Sequence, residues 1–387
     1  MLSEEVMNVL EQCITRRRIL HENAELSFEE HKTTEFLLRE LSCIDGITVS
    51  TPTATGAVAV LKGAFPGPTV AIRCDIDALP ITEETGLPYS SKTPGVMHAC
   101  GHDGHTAILL TAAGLLAKKR EELHGEVRFL FQPAEELPPG GAQLMQKAGV
   151  GKGVDEFFGF HLSSNFPTGT FGVRSGALTS ATDRFDITIR GKGGHGAFPE
   201  TCIDPMVVAA QVILALQTIV SRSVRAVEPI VLSVCMVEGG KAYNIIPQEI
   251  HLTGSTRTFN AETRAKLPEM MERIIKGQCD AAGASYDFSF TLGYASVVND
   301  ERMTKECQKL ISDTFGPESV LEIEPLMPGE DFSAFLKDGP GFFVELGARN
   351  AEKGCDQPHH NSKYMLDEDA LGYGIEYLYR LVLNRLS

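Results

Sequence analysis

The sequence has 387 residues, 43% of them hydrophobic, nine cysteines and a formal net charge of −16. That length exceeds one comfortable core, so about two domains are expected, and the charge disfavours nucleic acid and anionic membrane surfaces as partners. The odd, scattered cysteines suit free thiols in a reducing, cytoplasmic compartment. The acidic start Met1-Leu2-Ser3-Glu4-Glu5 shows no signal peptide, and no run of ~18 apolar residues able to span a bilayer is read.

A first helix is read from Ser3 to about Leu20. Ser27-Phe28-Glu29-Glu30 reads as a capping box that opens a second helix to about Cys43. Gly56–Leu61 and Thr69–Cys74 read as strands, the second ending in Asp75-Ile76-Asp77. Next comes His98-Ala99-Cys100-Gly101-His102-Asp103-Gly104-His105, with three histidines, a cysteine and an aspartate in eight residues. A buried apolar helix, Thr106–Leu116, follows it. The strand Glu126–Gln132 ends in Pro133-Ala134-Glu135-Glu136, and after a short helix near Gly141–Ala148 the strand Glu156–Phe160 ends at His161. Alternating strands and helices imply an α/β fold with a helix-flanked, mostly parallel sheet. Sites in such sheets form outside the carboxyl ends of the strands, where Asp75, Asp77, Glu135, Glu136 and His161 all fall.

From Asp183 the rhythm changes. Phe185–Arg190 is a strand, Asp204-Pro205 opens a helix to about Ser221, Pro229–Val237 and Glu249–Thr258 are strands, Asn260 opens a helix to about Ala282, and Tyr286–Leu292 is a last strand. This β-α-β-β-α-β order is the split ferredoxin-like pattern. The α/β rhythm then resumes with a helix over Asp300–Thr314, strands at Ser319–Ile323 and Gly341–Leu346, and an amphipathic helix over Asp369–Leu386. Residues 183–294 are therefore expected to form an inserted α+β domain, and residues 1–182 with 295–387 a discontinuous metal-binding catalytic domain.

Cys100-x-His102, with carboxylates and His161 at separate strand ends, suits a two-metal cluster. Thiolate and imidazole favour zinc, manganese, cobalt or nickel over magnesium or calcium. In such a cluster Glu135 and Glu136 divide the work, one as ligand and one as general base. Taken singly, each residue has an ordinary reading: a solvated acidic pair, a small buried thiol, a hydrogen-bonded core histidine. Their joint placement is what points to a metal. His359-His360-Asn361, ahead of the last helix, offers a further ligand. Gly329-Glu330-Asp331 opens a helix, where acidic residues suit the dipole in any case. In the inserted domain, Gly191-Lys192-Gly193-Gly194-His195-Gly196 reads most simply as a flexible loop. The functional reading makes His195 a donor to a developing oxyanion. Asn244 and Arg257 read equally as satisfied polar groups or as substrate contacts, Arg257 being suited to a carboxylate.

The motifs HACGHDGHTA, DIDALP, FQPAEE, GKGGHGAFPE and YNIIP, the segment Glu330-Asp331-Phe332, and HHN occur in one order along the chain. In this, essentially its whole length resembles the N-acyl-amino-acid amidohydrolases, a branch that includes hippurate hydrolase, bacterial aminoacylase-like enzymes and plant auxin-conjugate hydrolases. The branch lies within the dinuclear metallopeptidases, alongside succinyl-diaminopimelate desuccinylase and glutamate carboxypeptidase. The resemblance implies Cys100, His102, Glu136, His161 and His360 as ligands of two divalent ions (Zn, Mn, Ni or Co). It implies Glu135 as general base and Asp77 as the aspartate that orients a ligand. Asp75 stands where the wider family has a ligating histidine, His102 compensating. His195 is implied to reach across a dimer, Asn244 and Arg257 to contact the substrate's carbonyl or carboxylate, and the inserted domain to serve as lid and dimer interface in a homodimer or homotetramer. Cys74 before DIDALP, and Pro328 and Gly329 before Glu330, depart from the usual residues without removing a ligand. The implied substrate is a small N-acyl amino acid. A dipeptidase or an N-acetyl-diaminopimelate-type deacetylase would share the metal site. A catalytically dead binding protein is disfavoured by the retention of Glu135, Glu136 and all five ligands.

Overall fold

The computed structural model describes residues 2–387, which form two compact units. One comprises the chain up to Leu178 with Val297–Pro325 and Asp331–Ser387, and the other Thr179–Ser296 with Leu326–Glu330. The short segment Leu326–Glu330 was not foreseen as part of the inserted unit. It belongs there because Ser180 donates through its backbone N–H to Leu326 O at 3.0 Å and through its hydroxyl to Met327 O at 2.5 Å.

The first unit is built on an eight-stranded sheet: β1 Ile47–Ser50, β2 Ala57–Lys62, β3 Phe65–Asp75, β4 His124–Gln132, β5 Glu156–Pro167, β6 Phe171–Val173, β7 Val320–Glu322 and β8 Gly341–Arg349. Their order is β1-β2-β4-β3-β5-β8-β6-β7. The central β4-β3-β5-β8 run is parallel, β1 and β2 add antiparallel pairs at one edge, and β6 runs antiparallel to β8. Helices α1 Glu4–Glu22, α2 His31–Ser42, α3 His102–Ala117, α4 Gly141–Lys147, α5 Glu301–Phe315 and α6 Asp369–Leu386 complete this unit. Helix α3 is buried along nearly its whole length, as its apolar circumference requires. It packs against α1, α6 and the sheet.

Two local readings need correction. Ser27 does not cap α2, whose N-cap is Glu30 with no side-chain cap bond. Its hydroxyl donates instead to Asp77 Oδ2 at 2.7 Å, and the Glu30 carboxylate accepts from Phe28 N, Ala134 N and Thr55 Oγ1. Nor is His161 at a strand end, since β5 continues to Pro167. Pairing with β3 stops at Gly159, but β8 carries on alongside and sets Glu345 opposite His161. A neighbouring strand thus extends a segment whose polar residues read as a loop. Beyond Gly159 the β5 backbone is no longer paired with β3, and there His161 Nε2 faces Cys100 Sγ at 3.4 Å.

In the second unit, the strands Ala181–Arg190, Ile230–Glu238, Glu249–Thr258 and Ser285–Leu292 form an antiparallel sheet. Taken by their place in the sequence, they lie in the order second, third, first, fourth, which is the split ferredoxin-like arrangement. Helices Pro205–Thr218 and Ala261–Ala282 cover it with Val208, Val212, Leu216, Leu267, Met271 and Ile275. Asp204 and Asn260 cap these helices through their side chains. The reading that no stretch could span a bilayer is corrected at Pro205–Ser223, which is long and apolar enough by length and composition. One face of that helix packs on the sheet, and Met206, Val207 and Leu214 on it are exposed.

Candidate metal centre

The carboxyl end of β4, the turn into α3, the middle of β5 and the loop before α6 supply the candidate ligands, and the end of β3 supplies the carboxylates beside them. Gly101, with φ 94°, holds the left-handed turn between Cys100 and α3, and a Cβ there would approach the Tyr364 hydroxyl oxygen to 3.0 Å. His102 is then the first residue of α3. Asp103 beside it receives Arg17 Nε at 2.7 Å and His21 Nδ1 at 2.8 Å, which ties the helix start to α1. His360 also adopts a left-handed backbone, at φ 62°, and its N–H donates to Ala99 O at 2.8 Å.

His102 Nδ1 lies 3.0 Å from Asp77 O and 3.1 Å from Asp77 Oδ1. This assigns the ring proton to Nδ1 and frees Nε2 to ligate. Buried His102 Nε2 has no hydrogen-bond partner among the described residues. Asp77 Oδ2 accepts from the Glu136 backbone N–H at 3.0 Å, so one carboxylate sets both a ring and the neighbouring chain. His161 Nδ1 donates to Leu162 O at 2.9 Å, and its Nε2 faces Cys100 Sγ at 3.4 Å. Glu136 Oε1 lies 3.1 Å from His360 Nε2 and 3.9 Å from His102 Nε2. The donor atoms of Cys100, His102 and His161 lie within 4.8 Å of one another. The same holds for Cys100, Glu136 and His360, and for His102, Glu135 and Glu136.

The charges in this cluster are in conflict when it stands alone. Burial, together with Glu136, Glu135 and Asp75, pushes the Cys100 thiol well up. Burial opposes charge on His102, but Asp75, Asp77 and Glu136 outweigh it and lift its pKa to about 10. Burial and neighbouring histidines push His161 well down. A divalent cation removes the conflict: it favours thiolate, neutral imidazole and carboxylate together. The orphaned Nε2 and this donor set fit such an ion.

The other residues of the histidine-rich stretch are used differently. His105 Nδ1 pairs with Asp75 Oδ1 at 2.5 Å and its Nε2 accepts from Leu162 N at 2.7 Å, so neither nitrogen is left for a metal. His98 is buried, and that burial brings its pKa down to about 4. Sequence reasoning missed Arg73, which is fully buried in β3 and bonds Asp75, Asp331 and Gln132. The available signal was an arginine inside an apolar strand, a residue type rarely buried without partners. It also missed Arg17 and His21, which on α1 look like ordinary surface residues.

Of the candidates in the inserted unit, His195 and Asn244 lie together and Arg257 sits apart. His195 is exposed on a two-residue ladder with Ile245–Ile246, and its Nδ1 accepts from Ala197 N at 3.0 Å, which leaves Nε2–H to donate. Asn244 is its neighbour, accepting from Gly196 N at 2.9 Å through its backbone oxygen. Arg257 is half-buried, bonded to Thr182 Oγ1, and burial lowers its pKa. It lies opposite Thr182, whereas Glu249 at the other end of the same strand lies opposite Arg190, next to the His195 loop. Eight residues of strand at ~3.4 Å each put about 27 Å between those ends.

The family model of peptidase family M20/M25/M40 matches residues 71–384. An N-acyl-L-amino acid amidohydrolase of Geobacillus stearothermophilus is 48% identical over 303 residues, which is 77% of this chain and 82% of its own. Thermostable carboxypeptidase 1 of Saccharolobus solfataricus is 41% identical over 378 residues, covering 96% of this chain and 95% of its own. Among solved structures, a dinuclear metal binding peptidase of the M20 family from Bacillus subtilis is 37% identical, with a TM-score of 0.86 and 98% of each chain covered.

Proposed function

We propose, for a chain that belongs to peptidase family M20/M25/M40 and is a hydrolase of amides, that it cleaves N-acyl amino acids in a metal-dependent reaction, releasing a carboxylic acid and a free amino acid. The observation that carries this reading is the meeting of His102, Glu135 and Glu136 around an orphaned imidazole nitrogen, with Cys100, His161 and His360 adjoining. When held by Cys100, His102, Glu136, His161 and His360, two divalent ions (Zn, Mn, Ni or Co) would supply an activated water and a Lewis acid for the substrate carbonyl. Glu135 takes the proton from the attacking water and returns it to the leaving amine. Asp77 holds His102 in its ligating tautomer and fixes the backbone at Glu136.

His195 donates through Nε2–H to the developing oxyanion, and Arg257 or Asn244 holds the substrate carboxylate. The span of about 27 Å from Arg257 to Glu249, at the strand end from which the His195 loop departs, supports a composite site. No small substrate bridges it, so the two act together only if one comes from a second subunit. A homodimer through the inserted unit also accounts for exposed Met206, Val207 and Leu214. The carboxypeptidase relative favours a second reading, in which the acyl group is itself an amino acid and the substrate a dipeptide.

The test is Glu135→Gln assayed on N-acetyl- and N-benzoyl-amino acids and on dipeptides. The substrate profile separates the two readings. Loss of the base should lower kcat by ~10²–10⁴-fold with metal content retained. A variant keeping more than a tenth of wild-type turnover sinks the assignment.

A further inference from the structure

Asp75 occupies the strand end beside the metal cluster, yet its carboxylate is already engaged on both sides. Oδ2 accepts from Arg73 Nη1 at 3.0 Å, and Oδ1 accepts from His105 Nδ1 at 2.5 Å. Arg73 is itself held by Asp331 at 2.8 Å and Gln132 at 2.7 Å. All five groups are buried. The far nitrogen of His105 accepts the Leu162 N–H at 2.7 Å. The carbonyl of Leu162 accepts from His161 Nδ1 at 2.9 Å, and His359 Nε2 lies 3.0 Å from that oxygen and 3.3 Å from the Ser164 nitrogen. The His161 ring lies between those of His105 and His359, at centroid distances of 4.6 and 5.0 Å.

We propose that Arg73, Asp75, His105 and His359 form a positioning relay that holds the Leu162 backbone at both its N–H and its carbonyl and thereby aims His161 Nε2 at the metal beside Cys100. Asp75 is a positioning residue in this chain and not a ligand. The need for such a grip follows from the topology. Pairing of β5 with β3 ends at Gly159, so on that side no strand holds the backbone at His161 and Leu162. The carboxylate fixes the His105 tautomer, that tautomer presents a lone pair to the Leu162 N–H, and the residue so held offers the oxygen of its following peptide to His161 Nδ1. Each bond determines the next. The assignment rests on the metal-centre reading above.

The experiment measures cobalt(II) binding to wild-type protein, His105→Leu, His105→Gln and His359→Phe by competition with a chromophoric chelator. The thiolate-to-cobalt absorption band reports the ion at Cys100. His105→Leu should weaken one ion of two by ~10–100-fold and diminish that band, the usual effect of losing a ligand's hydrogen-bond partner. His105→Gln, whose amide keeps a donor and an acceptor, should recover much of the affinity. His359→Phe, at a half-buried position, should weaken the same ion and carries the test if His105→Leu does not fold. Excess metal should restore turnover in each variant. Unchanged affinity for both ions, with only a lower unfolding temperature of the metal-free protein, would reduce the relay to a structural role and overturn the proposal. Wild-type protein that binds no cobalt would instead sink the metal reading itself.

Discussion

Asp77→Asn is the most discriminating substitution at the centre because it changes acceptors without changing shape. Three donors converge on the Asp77 side chain: His102 Nδ1 at 3.1 Å, the Ser27 hydroxyl at 2.7 Å and the Glu136 N–H at 3.0 Å. An asparagine offers one acceptor oxygen and an NH₂ group. The Ser27 hydroxyl can turn to accept, but His102 and Glu136 cannot both be served. If the NH₂ faces Glu136, a buried N–H goes unpaired, at a cost of about 1–3 kcal/mol. If it faces His102, the ring is driven toward the tautomer with its proton on Nε2, where a metal must bind. His102 still has Asp77 O at 3.0 Å, which limits the loss. The expected result is a ~10–100-fold weaker metal affinity, equal to about 1.4–2.7 kcal/mol, with kcat largely restored by saturating metal. Competition against a chelator gives the affinity, and turnover across a metal titration gives the rest. Wild-type affinity in the variant would refute the role given to Asp77.

Arg17→Leu should cost about 3–5 kcal/mol in urea unfolding, because it leaves Asp103 charged and buried with its 2.7 Å partner gone; a loss under about 1 kcal/mol would contradict that account. Glu83 gives a pH signature. Burial raises its pKa, but bonds from His21, Thr85 and Ser91 N outweigh this and bring it from 4.5 down to about 2. A folded value below the unfolded one stabilises at neutral pH, and that stability is lost as pH falls from about 4.5 through about 2, up to about 3 kcal/mol in all. Glu83→Gln should flatten the stability profile in that window, and an unaltered slope would rule the carboxylate out as its source. Mixing His195→Ala with Glu135→Ala subunits should restore activity if the site is shared across a dimer. Demonstrated hybrids without activity would exclude the shared site.

How much was legible depends on whether the signal was local. The βα rhythm and the apolar runs marked the long strands and helices within a few residues, and the parallel centre of the sheet followed from the crossovers. The ends of β3 and β4 marked Asp75, Asp77, Glu135 and Glu136, because their polar residues interrupt apolar runs. The four-residue β1 and three-residue β6 escaped, being too short to show a period. Ser27 misled because a serine three residues ahead of a glutamate fits a capping box equally well when its hydroxyl serves a distant carboxylate. His161 was placed at a strand end because the pairing that extends β5 comes from β8, about 180 residues later in the chain.

By itself the sequence determined the chemistry available. Thiolate, imidazole and paired carboxylates stand at strand ends, and side-chain periodicity sets which residues can face a site. Tertiary structure alone decided which of these residues ligate and which support. His102 and His105 are one helical turn apart and chemically identical. One keeps a bare Nε2 because Asp77 takes its other nitrogen, while the other has both nitrogens consumed by Asp75 and the Leu162 peptide. That difference lies in partners brought in by β3 and β5, and a hydrogen bond depends on where its partner stands in space.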